Sequence, residues 1–200
     1  MRSSLPRIIL ASQSPRRKML LEWAEVDFEV IVKHTDEIVD PALPIAAVPV
    51  AIAREKALAV KQELTRWAEG RTENSTHLPI LAADTIVVLN DRIIGKPANR
   101  EEAVQFLLQL SGQTHKVITG VTLLTATDTF SFADITSVTF HELTQQEIEY
   151  YVDKYEPYDK AGAYAIQEWI GVTGIKSIEG DFYNVMGLPV SRVLQLLRKL

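Results

Sequence analysis

The first apolar positions of the chain predict two short strands with a helix between them. Arg7–Ala11 is an apolar run that fits a buried strand, and Val26–Val32 alternates in the manner of a second strand. The intervening helix is predicted to have Ser14 as its N-cap and Pro15 at its first position, because these residue types favour a helix start. Four residues of this helix are available for packing: Met19, Leu20, Leu21 and Trp23.

A longer helix and a hairpin are predicted next. Apolar residues recur at helical spacing from Pro49 to about Leu64. The polar segment Arg66–His77 predicts an exposed loop, and it is the favoured place for an insertion. Two apolar runs, Pro79–Leu89 and Arg92–Ile94, flank the turn-forming pair Asn90-Asp91 and predict a β-hairpin.

Two later helices are predicted from capping boxes. Asn99 with Glu102 begins one helix that ends before Gly112, and Thr144 with Glu147 begins another that ends near Tyr155.

The remaining segments predict strands and a last helix. His115–Thr125 and Thr129–Phe140 have strand patterns, whereas Ile175–Ile178 and Asp181–Val185 resemble a short hairpin around Glu179-Gly180. A helix is predicted from about Pro189 to Leu200, with an apolar face of Val190, Val193, Leu194 and Leu197. Strands and helices are mixed along the chain, so the predicted class is α/β or α+β.

Composition narrows the classes of protein to which the chain can belong. It has 200 residues, of which 46% are hydrophobic and none is cysteine, with a net charge of −5. This is enough apolar material for one domain or for two small lobes that share a core. No signal peptide or membrane span is evident, and the acidic charge disfavours a nucleic-acid-binding role. A cytoplasmic protein without membrane or nucleic-acid partners is therefore expected.

The start of the first helix carries an unusual charge pattern. Arg16, Arg17 and Lys18 occupy its first turn, where free N–H groups and the helix dipole favour anions. A bound phosphate would resolve this conflict, because backbone N–H groups, the Ser12 and Ser14 hydroxyls and the guanidinium groups could all contact it. The alternative is that the three cations are simply solvated.

Three other positions are candidates for chemistry. Asp84 lies within the apolar segment Ile80–Leu89, where an unpaired carboxylate is costly to bury, although a structural hydrogen bond to a turn would also explain it. Lys96 is flanked by Gly95 and Pro97, but lone lysines are usually solvated. The amide of Gln167 offers both a donor and an acceptor for a base edge, or it is one of many surface glutamines.

Several common site types are not indicated. The four histidines show no metal-binding spacing, and the chain contains no Walker motif, no G-x-S-x-G nucleophile elbow and no GxGxxG fingerprint.

Together, these segments resemble the Maf family of nucleotide pyrophosphatases, which was first named for septum formation. The matching stretches run in family order across nearly the whole chain: Leu10–Leu21, Ala53–Ala57, Ala83–Val87, Gly95–Pro97, Leu110–His115, Asp159–Tyr164 and Gly187–Pro189.

The resemblance implies hydrolysis of a nucleoside triphosphate to the monophosphate and pyrophosphate with a divalent cation, usually Mg²⁺, with Mn²⁺ as an alternative. It implies a fold like that of inosine triphosphate pyrophosphatases, in which residues 1–200 form one domain of two α/β lobes around a central cleft, often as a homodimer. Asp84 matches the family's proposed general base, and with Glu37 it is a candidate metal ligand. The other matching residues are Glu37, Lys56 and Lys96 in the catalytic set, and Ser12, Ser14, Arg16, Arg17, Thr85, Lys160 and Gln167 in the substrate-binding set.

The matching motifs also favour one subfamily. Pro15-Arg16-Arg17, Asp84-Thr85 and Gln167 resemble members that act on dTTP and UTP, whereas members that act on 7-methyl-GTP carry Trp in place of Arg16. One segment departs from the pattern, since Ala165-Ile166-Gln167-Glu168 stands where the family usually has Gly-Ile-Gln-Gly. Because glycine adopts backbone angles that other residues avoid, this change predicts a reshaped base pocket. The alternatives are a 7-methyl-GTP pyrophosphatase and a non-catalytic nucleotide-binding regulator of cell division.

Overall fold

The structure, a computed structural model, describes residues 5–36, 40–68 and 78–200. Within these residues the elements are mixed as predicted, and the α/β class is confirmed. The strands are β1 (Ile8–Leu10), β2 (Phe28–Val30), β3 (Ile80–Leu89), β4 (Arg92–Ile94), β5 (Thr114–Leu124), β6 (Thr129–Phe140) and β7 (Ile175–Glu179). The α-helices are α1 (Pro15–Trp23), α2 (Val48–Ala68), α3 (Arg100–Leu110), α4 (Gln145–Tyr155), α5 (Trp169–Gly174), α6 (Phe182–Met186) and α7 (Val190–Leu197).

In the described part of the chain, the strands form one mixed sheet of seven strands in the order β2-β1-β3-β5-β6-β7, and β4 pairs with β3. β1 runs parallel to β2 and β3, whereas β4 and β7 are antiparallel to their partners. None of the described helices is both long enough and apolar enough to cross a membrane.

The chain divides into two compact units. The first unit comprises Met1–Asp84, Thr119–Asp134 and Gly187–Leu200, and the second comprises Thr85–Ile118 and Ile135–Met186. The predicted central cleft and the likeness to inosine triphosphate pyrophosphatases stay predictions.

The core of the first unit forms where α2 packs on β1, β3 and β5. Two small residues of α2, Ala53 and Ala57, are fully buried, and they let the helix approach the sheet closely. A Cβ at Gly120 of β5 would lie 2.2 Å from the backbone of Pro49 and Val50, so only glycine allows this contact. The apolar cluster consists of Ile9, Ala11, Ala53, Ala57, Val60, Leu64, Ile80, Ala82 and Leu124.

The second unit is organised by local signals that the sequence carries. Asn90 and Asp91 adopt positive φ angles of 49° and 58°, as a tight hairpin turn between β3 and β4 requires. Thr144 and Glu147 form the complete capping box at the start of α4. The Asn99 side chain accepts a hydrogen bond from the Glu102 backbone, while the Glu102 carboxylate accepts from the N–H of Ala98.

Two predicted elements differ from the structure. The predicted strand Asp181–Val185 is wrong, because Phe182–Met186 is the helix α6. Asp181 Oδ1 accepts hydrogen bonds from the backbone N–H groups of Tyr183 at 2.7 Å and Asn184 at 3.4 Å, and this capping favours a helical turn. The predicted loop Arg66–His77 begins too early, since α2 continues to Ala68, and residues 69–77 lie outside the described residues.

Candidate active site

Asp84 is brought to the face of β3 that α2 covers. Side chains alternate along a strand, so Ile80, Ala82 and Asp84 point to the same side, and the first two lie in the apolar cluster under α2. Lys56 Nζ lies 2.7 Å from Asp84 Oδ1, and the two side chains are only 21% and 15% exposed. The carboxylate that the sequence places among apolar residues is therefore paired with a lysine, and this replaces the proposed bond to a turn.

The segment with the predicted phosphate-binding residues, Ser12–Arg17, follows the carboxyl end of β1. In the parallel pair of β1 and β3, Leu10 is opposite Leu81, and the N–H of Ala11 donates to the Leu81 carbonyl at 2.8 Å. Ser12 comes one residue later, while Asp84 is three residues beyond Leu81 on the adjacent strand. Because parallel strands share their direction, Ser12 and Asp84 both lie beyond the paired residues Leu10 and Leu81, in the direction of the carboxyl end of β1.

Two of the three cations in the first turn of α1, Arg17 and Lys18, have partners within the protein. Arg17 Nη1 donates to Ser12 Oγ at 3.0 Å, and Arg17 Nε donates to the Gly187 carbonyl at 2.7 Å. Ser12 Oγ also accepts from the Ser14 N–H at 3.2 Å, and the Ser14 side chain makes no capping bond. Lys18 pairs with Glu22 one helical turn later at 3.8 Å. Simple solvation of all three cations is therefore wrong for Arg17, while Arg16 is half-buried beside it.

In the second unit, Lys160 is buried and largely shielded from solvent. It is 8% exposed, and its Nζ lies 2.8 Å from Asp159 Oδ1 and 3.6 Å from Glu168 Oε1. Gly162 beside it donates from its N–H to the Gly95 carbonyl at 3.0 Å, so two of the family stretches are in contact. Ala163 has a φ of 57°, which costs a residue other than glycine about 1 kcal/mol, and such strain is concentrated at functional sites.

The other predicted residues of the second unit are more exposed. Thr85, which follows Asp84 on β3, is half-buried, whereas Lys96 and Gln167 are exposed. The structure also contains a buried pair that the sequence did not indicate: His115 Nε2 lies 2.7 Å from the hydroxyl of Tyr164. Burial lowers the pKa of His115 to about 4, so its ring is neutral at neutral pH. Both residues fall in family stretches, but no spacing rule connects positions 49 residues apart.

The predicted site residues therefore fall into two groups. The first unit brings together Lys56 and Asp84, together with Ser12, Ser14, Arg16 and Arg17 around the start of α1. Thr85, Lys96, Lys160 and Gln167 belong to the second unit. Glu37 lies outside the described residues. Within the described ranges, no three acidic or histidine side chains are grouped closely enough to hold a metal ion.

Comparison with known proteins identifies the family. A family model described as Maf-like protein matches residues 7–200. The chain belongs to this family. The resemblance inferred from the motifs is thereby confirmed, and membership of a pyrophosphatase family suggests dependence on a divalent cation.

Maf-like relatives of similar length cover nearly the whole chain. A protein named dTTP/UTP pyrophosphatase from Parabacteroides distasonis is 46% identical over 193 residues, or 96% of this chain and 95% of its own. Proteins of the same name from Chlorobium phaeovibrioides and Bacillus cereus are each 44% identical, and they cover 98% and 96% of this chain and 98% and 95% of their own. Among solved structures, the Staphylococcus aureus Ham1 protein matches with 11% identity and a TM-score of 0.39, covering 67% of this chain and 71% of that one.

Proposed function

We propose that this protein hydrolyses dTTP and UTP to the corresponding monophosphate and pyrophosphate. The observation that carries the proposal is the 44–46% identity, over 96–98% of the chain, to proteins named dTTP/UTP pyrophosphatase. In the reaction, water attacks the α-phosphorus, and the bond to the oxygen that bridges the α- and β-phosphorus atoms breaks. Pyrophosphate leaves, and the water proton passes to a base.

Asp84 is the group that we assign to this water. Its Oδ1 accepts the 2.7 Å bond from Lys56, and no hydrogen bond within the described residues engages Oδ2. The carboxylate is thus held by one oxygen while the other is available to accept a proton or to orient the water. Lys56 also places a positive charge beside the reacting phosphate, where negative charge increases as pyrophosphate leaves.

The residues fit a hard cation bound jointly with the substrate. Magnesium is usually held by one or two carboxylates together with substrate phosphates and water, so a single described carboxylate, Asp84, is sufficient, and Glu37 is the proposed second ligand. A divalent ion there, Mg²⁺ or Mn²⁺, would supply positive charge to the phosphate oxygens.

Substrate contacts are proposed at the start of α1 and in the second unit. Ser12, Ser14, Arg16 and Arg17 would bind phosphate oxygens through hydroxyl, guanidinium and backbone N–H groups. Thr85, Lys96 and Gln167 are proposed to contact the nucleotide, and Lys160 to act through its two carboxylate partners. We further propose a homodimer in the cytoplasm, for which light scattering and cell fractionation are the measurements.

Pyrophosphate release from a panel of canonical and modified triphosphates tests the proposal. Purified protein with Mg²⁺ should turn over dTTP and UTP faster than 7-methyl-GTP. Asp84→Asn should abolish turnover, while Asp91→Asn, the same change in the exposed turn after β3, should leave it intact, since Asn tolerates the positive φ of 58°. Release from none of the triphosphates would refute the proposal, and nucleotide binding without turnover would favour a regulator.

A further inference from the structure

The segment that carries Gln167 is a tight turn with a solvent-facing tip. The N–H of Glu168 donates to the Ala165 carbonyl at 3.1 Å, which places Ile166 and Gln167 at the two central positions of the turn. Ile166 is 4% exposed, so it fastens one side of the turn to the core. Gln167 is exposed, and its side chain makes no hydrogen bond within the described residues.

A single phenol holds both ends of this turn. Tyr151 of α4 is fully buried, and its hydroxyl donates to Glu168 Oε2 while it accepts from the N–H of Ala165 at 3.2 Å. Because the ring is packed in the core on a capped helix, its hydroxyl has a fixed position. The backbone on either side of Gln167 is therefore tied to α4.

The Glu168 carboxylate is engaged on its second oxygen as well. Its Oε1 lies 3.6 Å from the buried Lys160 Nζ, so the charge of the lysine has a partner on each side, Asp159 and Glu168. The turn also abuts α5, since a Cβ at Gly171 would lie 1.8 Å from the Ile166 carbonyl oxygen. Several independent contacts thus hold one short turn.

At Ala165 and Glu168 the backbone of this chain adopts no conformation that is reserved for glycine. Glu168 has a φ of −96°, which any residue adopts, and Ala165 is not among the residues with positive φ. The prediction that Ala165 and Glu168 reshape the base pocket stays a prediction. What Glu168 adds is a side chain that bonds Tyr151 and Lys160.

From these contacts we propose that Tyr151, Glu168 and Lys160 form a positioning network that fixes the backbone from which the Gln167 side chain projects, and thereby contributes to the selectivity for the base. The inference rests on the proposed function, with Gln167 as the residue that contacts the base. Uracil and thymine present an acceptor where cytosine presents an amino donor, and distinguishing them by hydrogen bonding requires the amide to be held within about 0.5 Å. A turn without its supports would hold the amide less accurately and accept both bases.

Tyr151→Phe tests the network, because it removes one hydroxyl and keeps the ring. We expect the ratio of kcat/KM for UTP over CTP to fall about five-fold or more, which corresponds to the loss of about one net hydrogen bond. The loss should appear in the KM values, with kcat for UTP changed less than about two-fold, because the turn acts on binding rather than on the reacting phosphate. Tyr150→Phe is the matched control: it removes an exposed hydroxyl on the same helix that bonds only Lys154 among the described residues, and it should keep the wild-type ratio.

A second variant keeps the test decisive if Tyr151→Phe fails to fold. Glu168→Gln retains an acceptor for Tyr151 but loses the charge facing Lys160, so the UTP/CTP ratio should fall about two-fold or more. Active variants with an unchanged ratio, or with a loss confined to kcat, would overturn the inference and leave the proposed function intact. Absence of turnover by the wild-type protein would overturn both.

Discussion

Protonation of His115 should contribute to the loss of stability of this protein in acid. Its side chain is 1% exposed, stacked on Phe140 with a centroid distance of 5.5 Å, and bonded through Nε2 to Tyr164. Its Nδ1 has no hydrogen-bond partner in the described structure. A charged ring in this place would be desolvated without a compensating carboxylate, and burial accordingly lowers the pKa of His115 from 6.5 to about 4.

The sign and size of the effect follow from proton linkage. Between pH 6.5 and 4 the unfolded chain binds a proton at His115 that the folded protein does not, so the free energy of unfolding decreases as the pH falls. The complete difference between pKa 6.5 and about 4 is worth about 3 kcal/mol. About 2 kcal/mol of this stabilisation is lost as the pH falls from roughly 7 to 5. The stabilisation is fully retained at pH values well above the pKa of His115 in the unfolded chain.

Urea unfolding followed by circular dichroism at the two pH values measures this loss. His115→Gln removes the titration but keeps a polar group near Tyr164, so the wild-type protein should lose about 2 kcal/mol more than the variant on acidification. His141→Gln alters an exposed histidine and should keep the wild-type pH dependence. Equal losses of stability in wild type and His115→Gln would refute the reasoning, because His115 would then bind its proton with the same pKa in the folded and the unfolded protein.

Three further perturbations address the first unit. Lys56→Met leaves Asp84 without its 2.7 Å partner, and we expect kcat/KM for dTTP to fall by about 100-fold; a loss below about three-fold in pyrophosphate release would contradict this role. Gly120→Ala forces a Cβ into the Pro49 backbone, and urea unfolding should show destabilisation of about 3 kcal/mol or more; a stability equal to wild type would show that the helix moves freely. Arg17→Lys cannot keep both guanidinium bonds, so KM for dTTP should rise about ten-fold, and an unchanged KM would exclude a binding role.

Local signals explain why much of the fold was predictable. The Asn90-Asp91 turn and the Thr144–Glu147 capping box each depend on residues within three positions of one another, so the pattern alone indicates the structure. The strand prediction for Asp181–Val185 was wrong because a five-residue run of aromatic, polar and apolar residues fits a strand or a helical turn equally well. The contacts that accompany the helix are distant ones: Asn184 Nδ2 donates to the Val117 carbonyl at 3.2 Å and contacts Thr136 Oγ1 at 2.9 Å.

The sequence predicted candidate residues of the site but not which of them contact each other. Motifs indicated Lys56 and Asp84 separately, yet their contact depends on how α2 lies across β3, and that is decided by small residues such as Ala53 and Ala57. Tyr151 was not indicated at all, because a buried tyrosine on an apolar helix face has the pattern of an ordinary core residue.

The cations at the start of α1 illustrate how tertiary contacts change the meaning of a sequence pattern. Three positive charges at a helix N-terminus predict an anion, but Arg17 already contacts two protein oxygens, those of Ser12 and Gly187. The bond to Gly187 joins the start of α1 to the segment before α7, and the two bonds together orient the guanidinium group before any substrate arrives. A phosphate that binds Arg17 must therefore be accommodated beside these two protein contacts, whereas the hypothesis of an isolated cation would not require this. The proposed phosphate-binding role thus depends on an arginine that is preorganised by the fold, and lysine, with one nitrogen, cannot replace it.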